Sequence, residues 1–131
     1  MLYLTSEQII LIHSLVIDET GGAHGVRNLD ALSAAEGLPK QAVFGKELYP
    51  TIFLKAAVYI RSIIDGHPFL DGDKRTAIAA AAVFLENNGY LLTAKAGEVE
   101  KLALKVTNRK PNLAAIAKWL KKNTKNKRGE V

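Results

Sequence analysis

Residues 67–89 read HPFLDGDKRTAIAAAAVFLENNG, a polar connector followed by a long apolar run. The run from Ala77 to Leu85 is apolar on every face of a helix, and Gly89 supplies a C-terminal stop. A helix that is apolar all round is buried among other helices. We therefore predict a buried central helix from about Lys74 to Asn88, with the connector leading into it.

The segments that precede the connector also have helical periodicity. Thr5 or Ser6 can cap a first helix, and Asn28 can cap a short second one. Pro50 suits the first turn of a third helix, because its missing N–H costs little there. This third helix should end near Gly66, directly before the connector.

The segments after the central helix complete the predicted fold. We predict a short extended link over 90–93, a helix over about 97–106 and a last helix opened by Pro111. The fold class is therefore all-α, a compact bundle of six or seven helices in one domain, residues 1–120. Residues 121–131 are predicted to form a basic, flexible C-terminal tail.

Composition excludes several classes of protein. Hydrophobic residues make up 48% and charged residues 24% of the 131 residues, which is typical of a globular chain and not of a disordered one. The chain has no cysteine, so disulfides, thiolate metal sites and cysteine nucleophiles are excluded. No apolar run is long enough to span a bilayer, and no secretory signal is evident at the N-terminus. We expect a cytoplasmic protein that makes no membrane contact.

The positive charge is concentrated at one end of the chain. Residues 121–131 contain five Lys or Arg and one Glu, a net of +4 out of the total of +5. Such a tail is either a solvated end or a nonspecific contact for nucleic acid or an acidic partner. No sequence-reading DNA motif is evident.

The connector has the residue types of a phosphate site. A glycine such as Gly72 before a helix lets the backbone approach a ligand, and the helix N-terminus attracts anions. Lys74 and Arg75 add full positive charges, and Asp71 could hold a Mg²⁺ shared with nucleotide phosphates. His67 is a candidate proton acceptor, because histidine changes protonation near neutral pH.

The same residues also have plain structural explanations. Asp71-Gly72 is a common turn pair, and Lys74 and Arg75 can be ordinary solvated charges. A lone histidine in a loop such as His67 is more often structural than catalytic. Residue types alone leave both interpretations open.

The order of the residues resembles the signature of the Fic/Doc family, written roughly His-x-Phe-x-Asp/Glu-Gly/Ala-Asn-Gly/Lys-Arg. The lysine in the penultimate position of the signature, Lys74, resembles the Doc branch, because the Fic branch has glycine at that position. The resemblance extends over about residues 3–120. Further matching segments are His24–Arg27, Phe44–Gly45, Leu48–Thr51, Lys55–Ala57 and Phe84–Gly89.

The resemblance implies a reaction and roles for the connector residues. Doc-type toxins transfer the γ-phosphate of ATP to a threonine of elongation factor Tu and so stop translation. By this likeness His67 is the base for the target hydroxyl, Asp71 binds Mg²⁺, and Phe69 anchors the loop. The likeness assigns the phosphates of ATP to Gly72, Asp73, Lys74 and Arg75. Lysine at position 74 would crowd the place where Fic enzymes hold their α-phosphate, which favours kinase chemistry.

One residue departs from the signature. Asp73 stands where the family usually has asparagine, and a carboxylate beside a phosphate is repulsive unless it is protonated, points away or shares the metal. The change could strengthen Mg²⁺ binding or abolish turnover. Two alternatives therefore stay open: transfer of AMP by the same fold, or a catalytically silent module that binds an antitoxin and corepresses the operon.

The resemblance also implies a partner. Many Fic proteins inhibit themselves with a Ser/Thr-x-x-x-Glu-Gly/Asn helix, and Ser33-Ala-Ala-Glu36-Gly37 is one residue too short for it. A Doc-like toxin without this plug would need a separate antitoxin of the prevent-host-death type. Through that partner it could contact operator DNA indirectly.

Residues outside the connector give weaker signals. His13 is interpreted as a packing or surface residue of the first helix. His24 and Arg27, in a glycine-rich stretch, lie either near the connector or in a local structural role. By likeness to Fic enzymes, the stretch 44–46 belongs to a flap that presents the target hydroxyl.

Overall fold

The computed structural model describes residues 1–127, and helices dominate it. Its helices are α1 (Ser6–Thr20), α2 (Leu29–Gly37), α3 (Ile52–Gly66), α4 (Asp73–Asn87), α5 (Ala96–Arg109) and α6 (Leu113–Lys122). A short 3-10 turn covers Leu38–Lys40. Two small antiparallel ribbons pair β1 (Ala42–Val43) with β2 (Lys46–Glu47), and β3 (Tyr90–Leu92) with β4 (Thr124–Asn126). The predicted all-α class is confirmed. No helix within the described range is long and apolar enough to cross a membrane.

Side-chain caps determine where most of the helices begin. The capping residues are Thr5 for α1, Asn28 for α2, Thr51 for α3 and Asn112 for α6. Pro50 and Pro111 were predicted inside the first turns of α3 and α6, and they lie one residue before the caps instead. The reason is that Thr and Asn side chains accept hydrogen bonds from first-turn N–H groups, which fixes the helix start after them.

The centre of the fold is shared by α3 and α4. Eight residues of α3 and seven of α4 are buried, and the two helices pack against each other. Around them, α3 also contacts α2, α5 and α6, whereas α4 contacts α1, α5 and β3. The sequence prediction of a buried helix after the connector is confirmed for α4. Because the connector, residues 67–72 in the structure, joins the two central helices, it lies at one end of the core.

A fully buried lysine ties the β1–β2 hairpin to this core. Lys55 of α3 donates from Nζ to the Pro39 carbonyl at 3.2 Å and to Glu47 Oε1 at 3.0 Å. Its ammonium also lies 5.5 Å from the centroid of the Tyr3 ring. A buried charge is tolerated only when it is paired and hydrogen-bonded. The Lys55–Glu47 pair therefore fixes the base of a hairpin whose tip, Phe44, is fully exposed.

The end of α4 gathers distant parts of the chain. Asn88 exchanges two hydrogen bonds with the backbone of Leu2, each of 2.9 Å. The Lys127 N–H donates to the Gly89 carbonyl at 2.9 Å, next to the β3–β4 ribbon. Residues 121–127, which the charge pattern placed in a tail, thus form the end of α6 and strand β4. The net charge of a segment does not predict whether its backbone pairs with a strand. The backbone groups at the exposed edge of β3 need such hydrogen-bond partners. Residues 128–131 of the predicted tail lie outside the described residues.

Tyr59 provides a test of how α3 holds the N-terminal segment. Its hydroxyl accepts a hydrogen bond of 2.9 Å from the buried N–H of Leu4. We expect Tyr59→Phe to lower the free energy of unfolding by about 1–3 kcal/mol, because this N–H loses its acceptor. Urea unfolding would measure the change. Tyr3→Phe is the control, and equal losses in both variants would contradict the assignment.

The same residue predicts a pH effect on stability. Burial raises the pKa of Tyr59 to about 12 from 10.0, the usual tyrosine value. The unfolded chain therefore releases this proton first, so the stabilisation is complete below pH 10 and is lost as the pH rises towards 12. We expect wild-type stability to fall more steeply over this range than that of Tyr59→Phe. Parallel curves for the two proteins would refute the prediction.

Candidate active site

The connector begins with a residue in a strained conformation. His67 follows the last residue of α3 with φ 48° and ψ 57°, the left-handed region that glycine usually occupies. The preceding Gly66 is helical, and an added Cβ there would lie 3.1 Å from the Cβ of Ala31. The glycine therefore serves the contact between α3 and α2, and the reversal of the chain falls on His67. Its imidazole is 56% exposed, so it is accessible to a ligand.

Residues 22–28 run along the connector and hold it by backbone hydrogen bonds. The N–H groups of Arg27 and Asn28 donate to the Pro68 carbonyl at 2.7 and 3.1 Å. In the other direction, the Leu70 N–H donates to the Gly25 carbonyl at 3.1 Å. Pairing on both sides of Phe69 fixes the path of the connector, as in a short antiparallel ribbon.

The structure separates the two polar residues that the sequence placed in this stretch. Arg27 lies at the connector, where its Nε donates to the His67 carbonyl at 2.9 Å. His24 is held by α1 instead, with Nε2 2.9 Å from Asp18 Oδ1 and Nδ1 3.5 Å from Ser14 Oγ. The hypothesis of proximity thus holds for the backbone of this stretch and for Arg27, whereas His24 has a local partner.

His13 of α1 supports the connector from the buried side. Its Nε2 lies 2.7 Å from the carbonyl of Asp71, which can only accept, so Nε2 donates. Its ring stacks on Phe69 with centroids 3.8 Å apart and planes 4° apart. His13 was predicted to be a packing or surface residue, and in the structure it is buried. Its spacing of four residues from both Ile9 and Ile17, which are also buried, was the signal for this face of α1.

The N-terminus of α4 has the features of an anion site. Gly72 adopts φ 80°, and no side chain caps the helix. Its first-turn N–H groups are therefore free of side-chain acceptors, and the helix dipole adds partial positive charge. A Cβ at Gly72 would lie 2.9 Å from Ile17 Cδ1, the end of a flexible side chain that can shift, so it is the left-handed backbone conformation that favours glycine here. Lys74 and Arg75 are exposed here and form no ion pair with any residue in the range 1–127.

The two carboxylates of the connector face different neighbours. Asp71 Oδ2 accepts from the Ala23 N–H at 2.8 Å. Asp73 Oδ1 accepts from the Phe69 N–H at 3.0 Å, and its Oδ2 lies 3.4 Å from His67 Nδ1. The Asp73 side chain is only 12% exposed. Asp73, the residue that departs from the family signature, therefore points its carboxylate into the connector and towards His67.

A cleft of about 510 Å³ brings these groups together. One side is formed by His67, by residues 70–75 and by Ile78. The other side comes from α5, through Val99, Glu100, Ala103 and Leu104. The α5 wall was not predicted, because its amphipathic pattern shows which residues are buried and not which helix they face. The cleft therefore combines a polar end, with two cations and two carboxylates, and an α5 wall that is apolar except for Glu100.

The described part of the chain builds no metal cage from protein groups alone. Within residues 1–127, no cluster of three or more His, Asp or Glu side chains could hold a metal ion. The predicted ligand Asp71 nevertheless lies at the cleft, with Oδ2 occupied by Ala23 and Oδ1 without a hydrogen bond among the described residues. One carboxylate suits Mg²⁺ that is bound mainly through nucleotide phosphates and water.

Comparison with known proteins supports the resemblance found in the sequence. The model of the Fic/DOC family matches residues 3–85, from the segment before α1 through nearly all of α4. A curated relative named Toxin Doc, from Mycolicibacterium smegmatis, is 37% identical over 117 residues, which cover 88% of each chain. Another, named Protein kinase doc, from Escherichia phage P1, is 32% identical over 89 residues, or 68% of this chain and 70% of that protein.

The matched region contains every part of the site except the α5 wall of the cleft. It includes α1 with His13, the stretch that pairs with the connector, the connector itself and the N-terminus of α4. The helical architecture agrees with the expectation that the sequence signature raised. By extent of match and by identity, the chain belongs to the Fic/DOC family.

Proposed function

We propose that this protein is the toxin of a toxin–antitoxin pair and transfers the γ-phosphate of Mg-ATP to a hydroxyl group of a translation protein. The observation that carries the proposal is one cleft that holds an exposed His67, the uncapped N-terminus of α4 and two cations, Lys74 and Arg75, that form no ion pair among residues 1–127. The names of the two relatives, a Doc toxin and a Doc protein kinase, support it.

The shape and charge of the cleft suit a nucleoside triphosphate. Backbone N–H groups at the start of α4 can bind phosphate oxygens, and Arg75 can bind two of them at once. Val99, Ala103 and Leu104 offer an apolar surface for the nucleoside end. Asp73 would not oppose the phosphates strongly, because its oxygens face Phe69 and His67.

The reaction requires one base and one leaving group. The imidazole of His67 takes the proton of the target hydroxyl, whose oxygen forms a bond to the γ-phosphorus. The bond between that phosphorus and the β–γ bridging oxygen breaks, and ADP leaves with the electron pair. Catalysis then rests on positioning and on stabilising charge at the phosphoryl oxygens, which falls to Lys74, Arg75 and the α4 N–H groups.

Asp71 is the residue that would hold Mg²⁺ at this site. When bound, the ion would neutralise charge on the phosphate oxygens. The Ala23 N–H fixes the orientation of Asp71, and the His13 contact fixes the backbone at the same residue. The carboxylate is therefore held in place before the nucleotide arrives.

The target and the setting follow from the family resemblance. We propose a threonine of an elongation factor Tu-like protein as the acceptor, in the cytoplasm. The β1–β2 hairpin, with Phe44 fully exposed at its tip, is the predicted flap that would present it. A prevent-host-death-like antitoxin would neutralise the toxin and provide any indirect contact with operator DNA.

Two other functions have specific support. Transfer of AMP uses the same cleft and the same base, and it differs only in which phosphorus faces His67. A catalytically silent module that binds an antitoxin is favoured by one feature, namely that Asp73 stands where the family signature has asparagine.

The first prediction from the proposed function concerns the transferred group. Incubated with Mg²⁺ and a bacterial lysate, the protein should label one lysate protein from γ-labelled ATP and none from α-labelled ATP. His67→Ala should reduce the rate by about 10²–10⁴, because a general base contributes that much. The exposed imidazole contributes little to packing, so the variant should unfold like the wild type.

The outcomes separate the three functions. Label from the α position alone would replace the kinase with an AMP transferase. No label from either position would favour the silent module, and transfer at an unchanged rate in His67→Ala would remove His67 from its role.

The second prediction concerns the metal. Asp71→Asn keeps an oxygen that can accept from Ala23 and removes the negative charge. We expect the Mg²⁺ concentration for half-maximal transfer to rise by at least about tenfold, since Mg²⁺ strongly prefers a carboxylate. A Mg²⁺ titration of transfer measures this, with Asp65→Asn, an exposed acid of α3, as the control. An unchanged requirement would place the metal elsewhere.

A further inference from the structure

We propose that Asp73 is a positioning residue for His67, which it holds in the tautomer with the proton on Nδ1 and the lone pair on Nε2. The catalytic meaning of this inference rests on the proposed function. The tautomer itself does not, and it can be measured without any transfer activity.

The carboxylate of Asp73 is fixed before it reaches His67. It sits on the first residue of α4, behind the left-handed Gly72. Its Oδ1 accepts from the N–H of Phe69, whose side chain is buried and stacked on His13. This contact leaves Oδ2 to face Nδ1 of His67 at 3.4 Å.

The backbone of His67 is fixed as well. Its N–H donates to the Ile63 carbonyl at 3.2 Å, which ends α3. Its own carbonyl accepts from Arg27 Nε at 2.9 Å. The ring therefore turns only about its side-chain bonds, and its Nδ1 lies at ion-pair distance from Asp73 Oδ2, from which a small rotation would complete a hydrogen bond. The imidazole of His67 is 56% exposed and the carboxylate of Asp73 only 12%, so the carboxylate is largely shielded from water and the imidazole is accessible.

The chemistry of the two groups decides where the proton lies. An ionised carboxylate only accepts hydrogen bonds, and a neutral imidazole carries one N–H. Contact with Oδ2 therefore favours the proton on Nδ1, which leaves Nε2 free to take a proton from a target hydroxyl. The nearby carboxylate also stabilises the imidazolium that this transfer creates, as an aspartate does in hydrolase triads.

An asparagine at the same position would act differently on the ring. Its oxygen could still accept from Phe69, which would preserve the connector. Its NH₂ group would then face Nδ1 and donate to it, which favours the proton on Nε2. Asp73→Asn thus changes the character of one atom near His67 with little change in shape. Asp65→Asn is the matched control, because it removes one charge two residues away and no contact given for His67 involves it.

The test is a measurement of imidazole tautomers by ¹H–¹⁵N correlation spectra of the full chain labelled at histidine. The spectra are recorded at about pH 8.5, where unperturbed histidine is neutral. The His67 signals are assigned by their loss in His67→Ala. Free histidine in water favours the proton on Nε2, so a majority of Nδ1–H in the wild type is the expected and discriminating result. The majority should reverse in Asp73→Asn and persist in Asp65→Asn.

Either of two results overturns the proposal: wild-type His67 with its proton mainly on Nε2, or the same tautomer in wild type and Asp73→Asn. Transfer assays give the second readout. We expect kcat of Asp73→Asn to fall by about tenfold or more, with the KM for ATP changed less than about twofold. A raised KM at constant kcat would instead assign Asp73 to nucleotide binding. If the wild type shows no transfer, the proposed function fails, and the spectra still decide the role of Asp73.

Discussion

The site depends on the packing of one aromatic ring. Phe69 is buried at the middle of the connector, stacked on His13 and flanked by backbone hydrogen bonds to residues 25–28. The backbone N–H of Phe69 also donates a hydrogen bond to the carboxylate of Asp73, which faces His67. Burying this one apolar side chain fixes the backbone between His67 and Asp71, and both of these residues line the cleft. The polar residues are placed by a hydrophobic contact, which is non-directional in itself and gains direction from the hydrogen bonds on either side.

The two central helices contribute in different ways. α3 is followed by His67 in the left-handed conformation. The preceding Gly66 stays helical and lies in close contact with Ala31 of α2. α4 begins with a left-handed glycine that leaves its first turn uncapped. A non-glycine residue with positive φ costs free energy, and such strain is tolerated where the surroundings over-determine the backbone. Bonds to Ile63 and Arg27 provide that constraint at His67.

Sequence reasoning reached the local features of this fold and missed those that depend on distant contacts. The helices, the connector and its resemblance to a family signature are encoded within short windows, and the structure and the comparisons agree with them. The orientation of His13, the contact of Arg27 and the α5 wall depend on which faces of separate elements meet. Strand β4 was predicted to be part of the tail because four lysines between 121 and 127 are typical of a solvated chain end. The backbone of this stretch nevertheless pairs with β3. Sequence windows also indicated His67, Asp71 and residues 72–75 as candidates, and the structure brings all of them to one cleft.

The turn after α4 has a consequence for the order of folding. Leu2 and Lys127 both bond to it, through Asn88 and Gly89, so segments from opposite parts of the chain meet at one point. Such closures lose more chain entropy than local helix formation and are completed late. During synthesis, α1 to α4 can therefore associate before the partner of β3 has left the ribosome. The α5 wall of the cleft also emerges after the connector, so a nascent chain carries the signature loop before it carries a finished cleft.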